Sequence, residues 1–248
     1  MTLHIFDHIL FVLLVLVFPI IDSFSLRKRA ALIEAGRTEL RMQLYRKLIR
    51  EEWIAVLVLA VLWLYLGRGA AELGLIPGTG ALVWAGYGLA ALICVLLAVQ
   101  MRVMTANEKN RASLLEQTGG VAFLMPHTLQ ERRTFDAVSL TAGICEELLF
   151  RGFLFAYLTA GLGVSVWLAA LLSSVAFGFA HLYQGPLGIL KTGTVGLVLA
   201  VLYVMTGSLW APIVVHFLMD LFAGRMTYKA VNETTPENSS PELAAESG

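Results

Sequence analysis

The feature that most constrains this chain is its series of long apolar runs. A helix needs about 20 predominantly apolar residues to cross about 30 Å of bilayer hydrocarbon. The run from residue 53 is short, the last two runs almost touch, and an extra span could lie near residues 112–125, which leaves the count open by one. The sequence therefore predicts an all-α, polytopic transmembrane helical bundle of seven spans, plus or minus one. The candidate runs are residues 3–21, 53–69, 81–101, 136–158, 164–182, 187–206 and 208–224.

Composition supports a membrane protein. The chain has 248 residues, of which 58% are hydrophobic and 15% charged, and its mean hydropathy is +0.75. These values are too apolar for a soluble domain with a wetted surface. The first run lacks a basic leading segment and a small-residue cleavage site, so we expect a retained helix and not a signal peptide.

The cations are distributed unevenly along the chain. Eight lie in residues 22–52, five in 102–135, and Arg225 and Lys229 follow the last run. The positive-inside rule places these stretches in the cytoplasm together with the C-terminus, and the N-terminus outside. Acidic residues are interleaved among the cations, so residues 26–52 are predicted to form a solvated or interfacial amphipathic helix, with no nucleic-acid partner.

The stretch GICEELLFRG, residues 143–152, places three ionisable groups inside an apolar run. A charge at bilayer depth costs about 2.5–3.5 kcal/mol on insertion scales, so such groups are expected to be paired, wetted or functional. Glu147 and Arg151 are four residues apart and can pair on one helix face. Glu146 is rotated by about 100° from Glu147. We therefore predict that Glu147 and Arg151 hold each other and that Glu146 is left to act, unless all three form a structural ion network.

Two further runs carry ionisable groups with helical spacing. SVAFGFAH places His181 four residues after Phe177, and VVHFLMD places His216 and Asp220 at positions i and i+4. Each taken singly fits an interhelical hydrogen bond. Taken together with the glutamates, they predict one buried, wetted cavity formed by the last four spans.

These residues resemble the motifs of a known family. EELLFR fits EExxxR, FGFAH fits FxxxH and HFLMD fits HxxxN/D, in that order. The region from about 134 to 222 resembles the CPBP family of intramembrane proteases, the CAAX protease and bacteriocin-processing group also called Abi. The resemblance implies a membrane-embedded endopeptidase that hydrolyses peptide bonds of membrane-associated substrates, such as prenylated CAAX-type tails or peptide leaders.

The resemblance also implies roles for individual residues. Glu146 would activate water, His181 would position it or shuttle the proton, and His216 with Asp220 would stabilise the oxyanion. Glu147 and Arg151 would support them. Many relatives carry Asn where this chain has Asp220, and an ionised carboxylate cannot donate to an oxyanion. Asp220 is therefore either protonated or a group that orients His216.

Two alternatives remain open at the level of sequence. Glu146, His181, His216 and Asp220 could instead surround a zinc ion with a site left for water, although no HExxH is present. The expectation is glutamate chemistry without a cofactor. The chain could also be a non-proteolytic transporter, or a bacteriocin-immunity or scaffold protein that uses a buried ion network.

The predicted organisation has three parts. Residues 1–133 supply N-terminal transmembrane helices and basic cytoplasmic loops, residues 134–224 a catalytic transmembrane core, and residues 225–248 a disordered polar tail. The expected partners are the lipid bilayer and a membrane-embedded or lipidated peptide or protein substrate. The expected location is the plasma membrane of a bacterium.

Overall fold

A computed structural model describes residues 2–234, and in this part of the chain the secondary structure is helical. A 30-residue rod, Ile5–Glu34, consists of α1, a π-helical turn and α2. Short 3-10 or π segments join several of the other helices. The α-helices of the described residues are α1 Ile5–Val12, α2 Phe18–Glu34, α3 Glu39–Tyr65, α4 Ala81–Met104, α5 Glu108–Thr118, α6 Leu129–Glu147, α7 Val166–Ala180, α8 Gly185–Thr206 and α9 Trp210–Thr234.

Local sequence signals account for several helix ends. The Thr128 hydroxyl accepts a hydrogen bond from the backbone N–H of Glu131, whose carboxylate accepts one from the N–H of Thr128. This reciprocal capping satisfies donors that the first turn of α6 leaves free. Gly207 ends α8 with φ of 60°, a left-handed conformation that glycine adopts without steric cost.

Each predicted apolar run lies within helical structure, but fewer helices qualify as spans by length and composition. Three do so among the described residues: Ile5–Glu34, Ala81–Met104 and Leu182–Thr206, and Val166–Ala180 is a shorter apolar helix. The remaining long helices carry the ionisable groups that lower their hydropathy. The all-helical class and integral membrane character are confirmed, whereas the count of seven stays a prediction.

The polar connections differ from the expectation in two places. The basic stretch 26–52 does not form one interfacial helix, because α2 continues to Glu34 and α3 begins at Glu39. The cationic residues thus lie on α2 and α3, beyond the apolar part of each helix. The region near 112–125, where an extra span was conceivable, forms the short polar helix α5 and a 3-10 segment. Eleven residues make about 16 Å of helix, which is too short to cross a bilayer.

The basic stretches meet at one end of the bundle. Arg41 of α3 binds Glu131 of α6 at 2.9 Å, and Arg225 of α9 binds Asp136 of α6 at 3.0 Å. At the far end of α3, Arg68 binds Asp7 near the start of α1, with both side chains buried. The cations of the three stretches therefore share a face, as the spacing predicts; that this face is cytoplasmic stays a prediction.

The prediction of a disordered tail is wrong for its first ten residues, 225–234. Helix α9 runs to Thr234, and Met226, Thr227 and Ala230 are buried. The Asn232 amide donates to the backbone carbonyl of His127. These contacts hold the end of α9 against the start of α6, which composition alone could not reveal. Residues 235–248 of the predicted tail lie outside the described residues.

The Arg41–Glu131 pair gives a stability prediction. Burial alone would raise the pKa of Glu131, but the backbone N–H groups of His127 and Thr128, together with Arg41, hold it below its usual value of 4.5. Glu131→Gln leaves Arg41 buried without its counter-charge, which typically costs about 3–5 kcal/mol. Thermal unfolding of the detergent-solubilised protein measures this loss near neutral pH.

The depressed pKa fixes the pH dependence. The stabilisation by Glu131 is fully present above pH 4.5, the unfolded-state value, and is lost as pH falls through the lower folded-state pKa. The difference between wild type and Glu131→Gln should therefore shrink in acid. Glu39→Gln is the control, because its pair with Arg37 is largely exposed and exposed pairs contribute little to stability. An equal loss in the two variants would contradict the prediction.

Candidate active site

The ionisable residues of the three motifs come from helices that pack closely together. Glu146 and Glu147 end α6, Arg151 lies in the π-helical continuation Leu148–Leu154, and His216 and Asp220 belong to α9. Gly143 makes the approach of α6 to α9 close, since a Cβ there would lie 3.0 Å from the backbone nitrogen of Phe217. A larger residue would separate the two helices that carry the site.

Glu147 and Arg151 form the predicted pair, and both side chains are fully buried. The Nη1 group of Arg151 donates to Oε1 of Glu147 at 2.9 Å, and its Nη2 group donates to the carbonyl oxygen of Gly196 in α8 at 2.8 Å. The guanidinium also lies 4.4 Å from the ring centre of Phe177 in α7. Arg151 thus joins three helices through charge, hydrogen bonding and a cation–π contact.

His216 is oriented by Glu147. Its Nδ1 lies 2.9 Å from the same Oε1 atom that Arg151 binds. An ionised carboxylate can only accept, so Nδ1 carries the hydrogen and Nε2 points away from Glu147. Orienting His216 is one of the two roles that the sequence predicts for Asp220. Asp220 lies on the Nε2 side instead, with Oδ2 at 3.6 Å, which is beyond direct hydrogen-bonding distance.

Glu146 faces the free side of the His216 ring. Its Oε2 atom lies 3.8 Å from Nε2 of His216 and is buried without a hydrogen-bond partner. The side chain as a whole remains 19% exposed, so the carboxylate borders on accessible space. The adjacent glutamates are therefore in different environments: one carboxylate is fixed by two cationic or protonated groups, and the other is nearly unpaired.

His181 caps the C-terminus of α7. Its Nδ1 lies 2.9 Å from the carbonyl oxygen of Phe177, so this nitrogen is the donor and Nε2 of the neutral ring is free to accept a proton. The Phe177 ring packs against both imidazoles, with centroid distances of 5.0 Å to His181 and 5.7 Å to His216. Phe177 therefore contacts both histidines of the motifs.

Glu52 is a carboxylate that the sequence analysis did not assign to the site. It belongs to α3, its Oε2 atom is buried without a partner, and its charge interacts with those of Glu146, His216 and Asp220. The indole N–H of the next residue, Trp53, donates to the Thr141 hydroxyl of α6 at 3.2 Å, which fixes α3 beside the motif. The available signal was the position of Glu52 at the edge of the apolar run from residue 53.

The geometry gives no support to the zinc alternative. Within residues 2–234, no group of three or more His, Cys, Asp or Glu side chains is placed to hold a metal ion. Nδ1 of His216 is also already engaged with Glu147. The choice between zinc and glutamate chemistry without a cofactor stays a prediction.

The comparisons with known proteins agree with the motifs. Residues 133–222 match the family model described as Rce1-like, type II CAAX prenyl endopeptidase Rce1-like. No curated protein and no solved structure matches the chain. Glu52 lies outside the matched residues, which make up a little over a third of the chain.

The match identifies a class of protein. The matched family consists of proteases, and this chain also contains helices apolar enough to cross a membrane. Residues 133–222 are similar to the Rce1-like family, so the family resemblance predicted from the three motifs is confirmed. At the level of the family this supports a CAAX-type intramembrane protease.

The unequal environments of the two glutamates predict unequal effects on stability. Glu147→Gln removes the counter-charge of the buried Arg151, so we expect a loss of about 3–5 kcal/mol. Glu146→Gln removes a carboxylate whose buried oxygen has no hydrogen-bond partner, so we expect a change within about 0.5 kcal/mol, or a gain. Thermal unfolding in detergent compares these adjacent, isosteric variants. Equal destabilisation would refute the division between a structural and a free carboxylate.

Proposed function

We propose that this protein is an intramembrane endopeptidase in which Glu146 activates the attacking water. The observation that carries the proposal is the buried, unpartnered Oε2 of Glu146, which lies 3.8 Å from an imidazole nitrogen. A general base needs a free lone pair near the proton that it takes. The adjacent Glu147 is fully buried and its Oε1 is occupied by Arg151 and His216, whereas the side chain of Glu146 is 19% exposed.

The proposed reaction is a general-base hydrolysis. Glu146 takes a proton from water as the oxygen attacks the scissile carbonyl carbon, which gives a tetrahedral oxyanion. When the C–N bond breaks, the proton passes to the leaving nitrogen from Glu146, directly or through Nε2 of His181. The products are a carboxyl group and an amine, and Glu146 returns to its ionised form.

His216 is the proposed donor to the oxyanion. Because Nδ1 already donates to Glu147, Nε2 can donate only when the ring carries both protons. The carboxylates of Glu147, Glu146 and Asp220 lie 2.9, 3.8 and 3.6 Å from the ring nitrogens, and together they favour the imidazolium. Asp220 is assigned to stabilising that cation, so a direct contact with the oxyanion is not required of it.

The proposed substrates follow from the family and from the bilayer. The name of the matched family refers to prenylated CAAX proteins, so a prenylated CAAX-type tail is the first candidate, and a leader peptide or membrane-protein segment the second. A helix conceals its peptide bonds, so the scissile segment must be locally unfolded to expose a carbonyl. The bacterial plasma membrane and a cytoplasmic C-terminus remain part of the proposal.

The test is cleavage of a fluorogenic, farnesylated CAAX-type peptide by the purified protein. Loss of a general base typically lowers the rate by about 10²–10⁴-fold. The cleavage rate of the Glu146→Gln variant should therefore fall by that factor, while the variant still folds. Glu51→Gln is the control, because Glu51 is an exposed carboxylate on α3. Substrate flux without any peptide product would favour a transporter. Unchanged cleavage by Glu146→Gln would refute the role of this residue.

A further inference from the structure

A polar cavity lies away from the proposed catalytic residues. It has a volume of about 570 Å³ and is formed where the end of α4, the start of α6 and the end of α9 meet. That volume falls in the range of ordinary ligand sites, about 300–1,000 Å³. Its wall includes Met101, Arg102, Thr105, Arg132, Arg225 and Lys229.

The cavity is strongly cationic. Four of its wall residues are Arg or Lys. Glu233 also lines the cavity and binds Lys229 and Arg111, and Asp136 binds Arg225. The cavity and its ion-pair partners thus hold five cations against two carboxylates. An anion would relieve this excess.

Two of the arginines have unused donors. The Nε group of Arg132 is buried without a hydrogen-bond partner, while its guanidinium lies 5.5 Å from the ring centre of Tyr228. A buried guanidinium N–H without an acceptor is costly unless a ligand satisfies it. Arg102 is exposed and forms no ion pair within the described part of the chain. The wall therefore offers fixed donors as well as diffuse charge.

The position of the cavity selects the source of the anion. Helix α4 is one of the three membrane-crossing candidates, and Arg102 lies in its last turn. The cavity is therefore at the level where the hydrocarbon ends. Val95, Val99 and Val103 of α4 are spaced four residues apart and are 59%, 51% and 53% exposed. They form an apolar stripe that leads along the helix to the cavity.

We propose that this cavity binds the phosphate headgroup of an anionic phospholipid, with an acyl chain along the valine stripe of α4. Basic pockets between helices at a membrane surface bind such headgroups. A free phosphate ion shares the headgroup chemistry, but it would leave the adjoining apolar stripe unused. The site uses none of the residues assigned to hydrolysis, so it stands whether or not the protein is a protease.

The test is native mass spectrometry of the full chain in detergent, titrated with phosphatidylglycerol or with phosphatidylcholine of the same acyl chains. We expect tighter retention of phosphatidylglycerol. Arg102→Gln combined with Lys229→Gln should weaken that binding roughly 30-fold, since each cation near a membrane surface contributes about a factor of five. The matched control is Arg46→Gln with Lys28→Gln, which removes one exposed Arg and one exposed Lys outside the cavity.

Further measurements separate the alternatives. Arg102→Lys with Lys229→Arg keeps the charge and should retain most of the binding, which distinguishes a lost contact from a misfolded variant. Inorganic phosphate should compete weakly. Competition by phosphate as strong as that by the lipid would overturn the lipid assignment. Equal retention of the two lipids, or equal binding by the cavity and control variants, would overturn the site itself.

Discussion

The arrangement of the site depends on one carboxylate that is buried where water is scarce. Oε1 of Glu147 is shared by the guanidinium of Arg151 and Nδ1 of His216. Burying any of these groups alone would cost several kcal/mol, and their attraction offsets that cost only when the geometry is well defined. The same atom therefore fixes the π-helical turn after α6, the ring orientation of His216 and the distance between α6 and α9.

The chemistry follows from what this carboxylate leaves free. Because Glu147 binds Nδ1 of His216, Nε2 of the same ring points toward Glu146 and Asp220. Glu146 then remains the partly exposed carboxylate with an available lone pair near Nε2 of His216. Two adjacent residues of the same type acquire separate tasks because one is satisfied by tertiary contacts and its neighbour is not. Chemical identity alone does not distinguish them; their surroundings do.

Sequence was sufficient where an interaction is local to one helix. The spacing of Glu147 and Arg151 predicts their pairing, and the three ordered motifs predict the family that the comparisons confirm. It was insufficient where the partner comes from another helix. Nothing in the spacing of α9 indicates that His216 binds Glu147, or that Glu52 of α3 lies near His216 and Asp220. Composition alone predicts disorder for the end of α9, because its stabilising contacts with α6 are distant in sequence.

The bond from Arg151 to the carbonyl of Gly196 has a consequence for substitutions at position 151. A Cβ at residue 196 would lie 3.1 Å from Nη2 of Arg151, so the guanidinium and the backbone of α8 occupy the same narrow space. Its planar fork reaches acceptors on two different helices at once, whereas a lysine ammonium is a single point with no such reach. Conservation of charge at this position would not conserve the cross-helix connection.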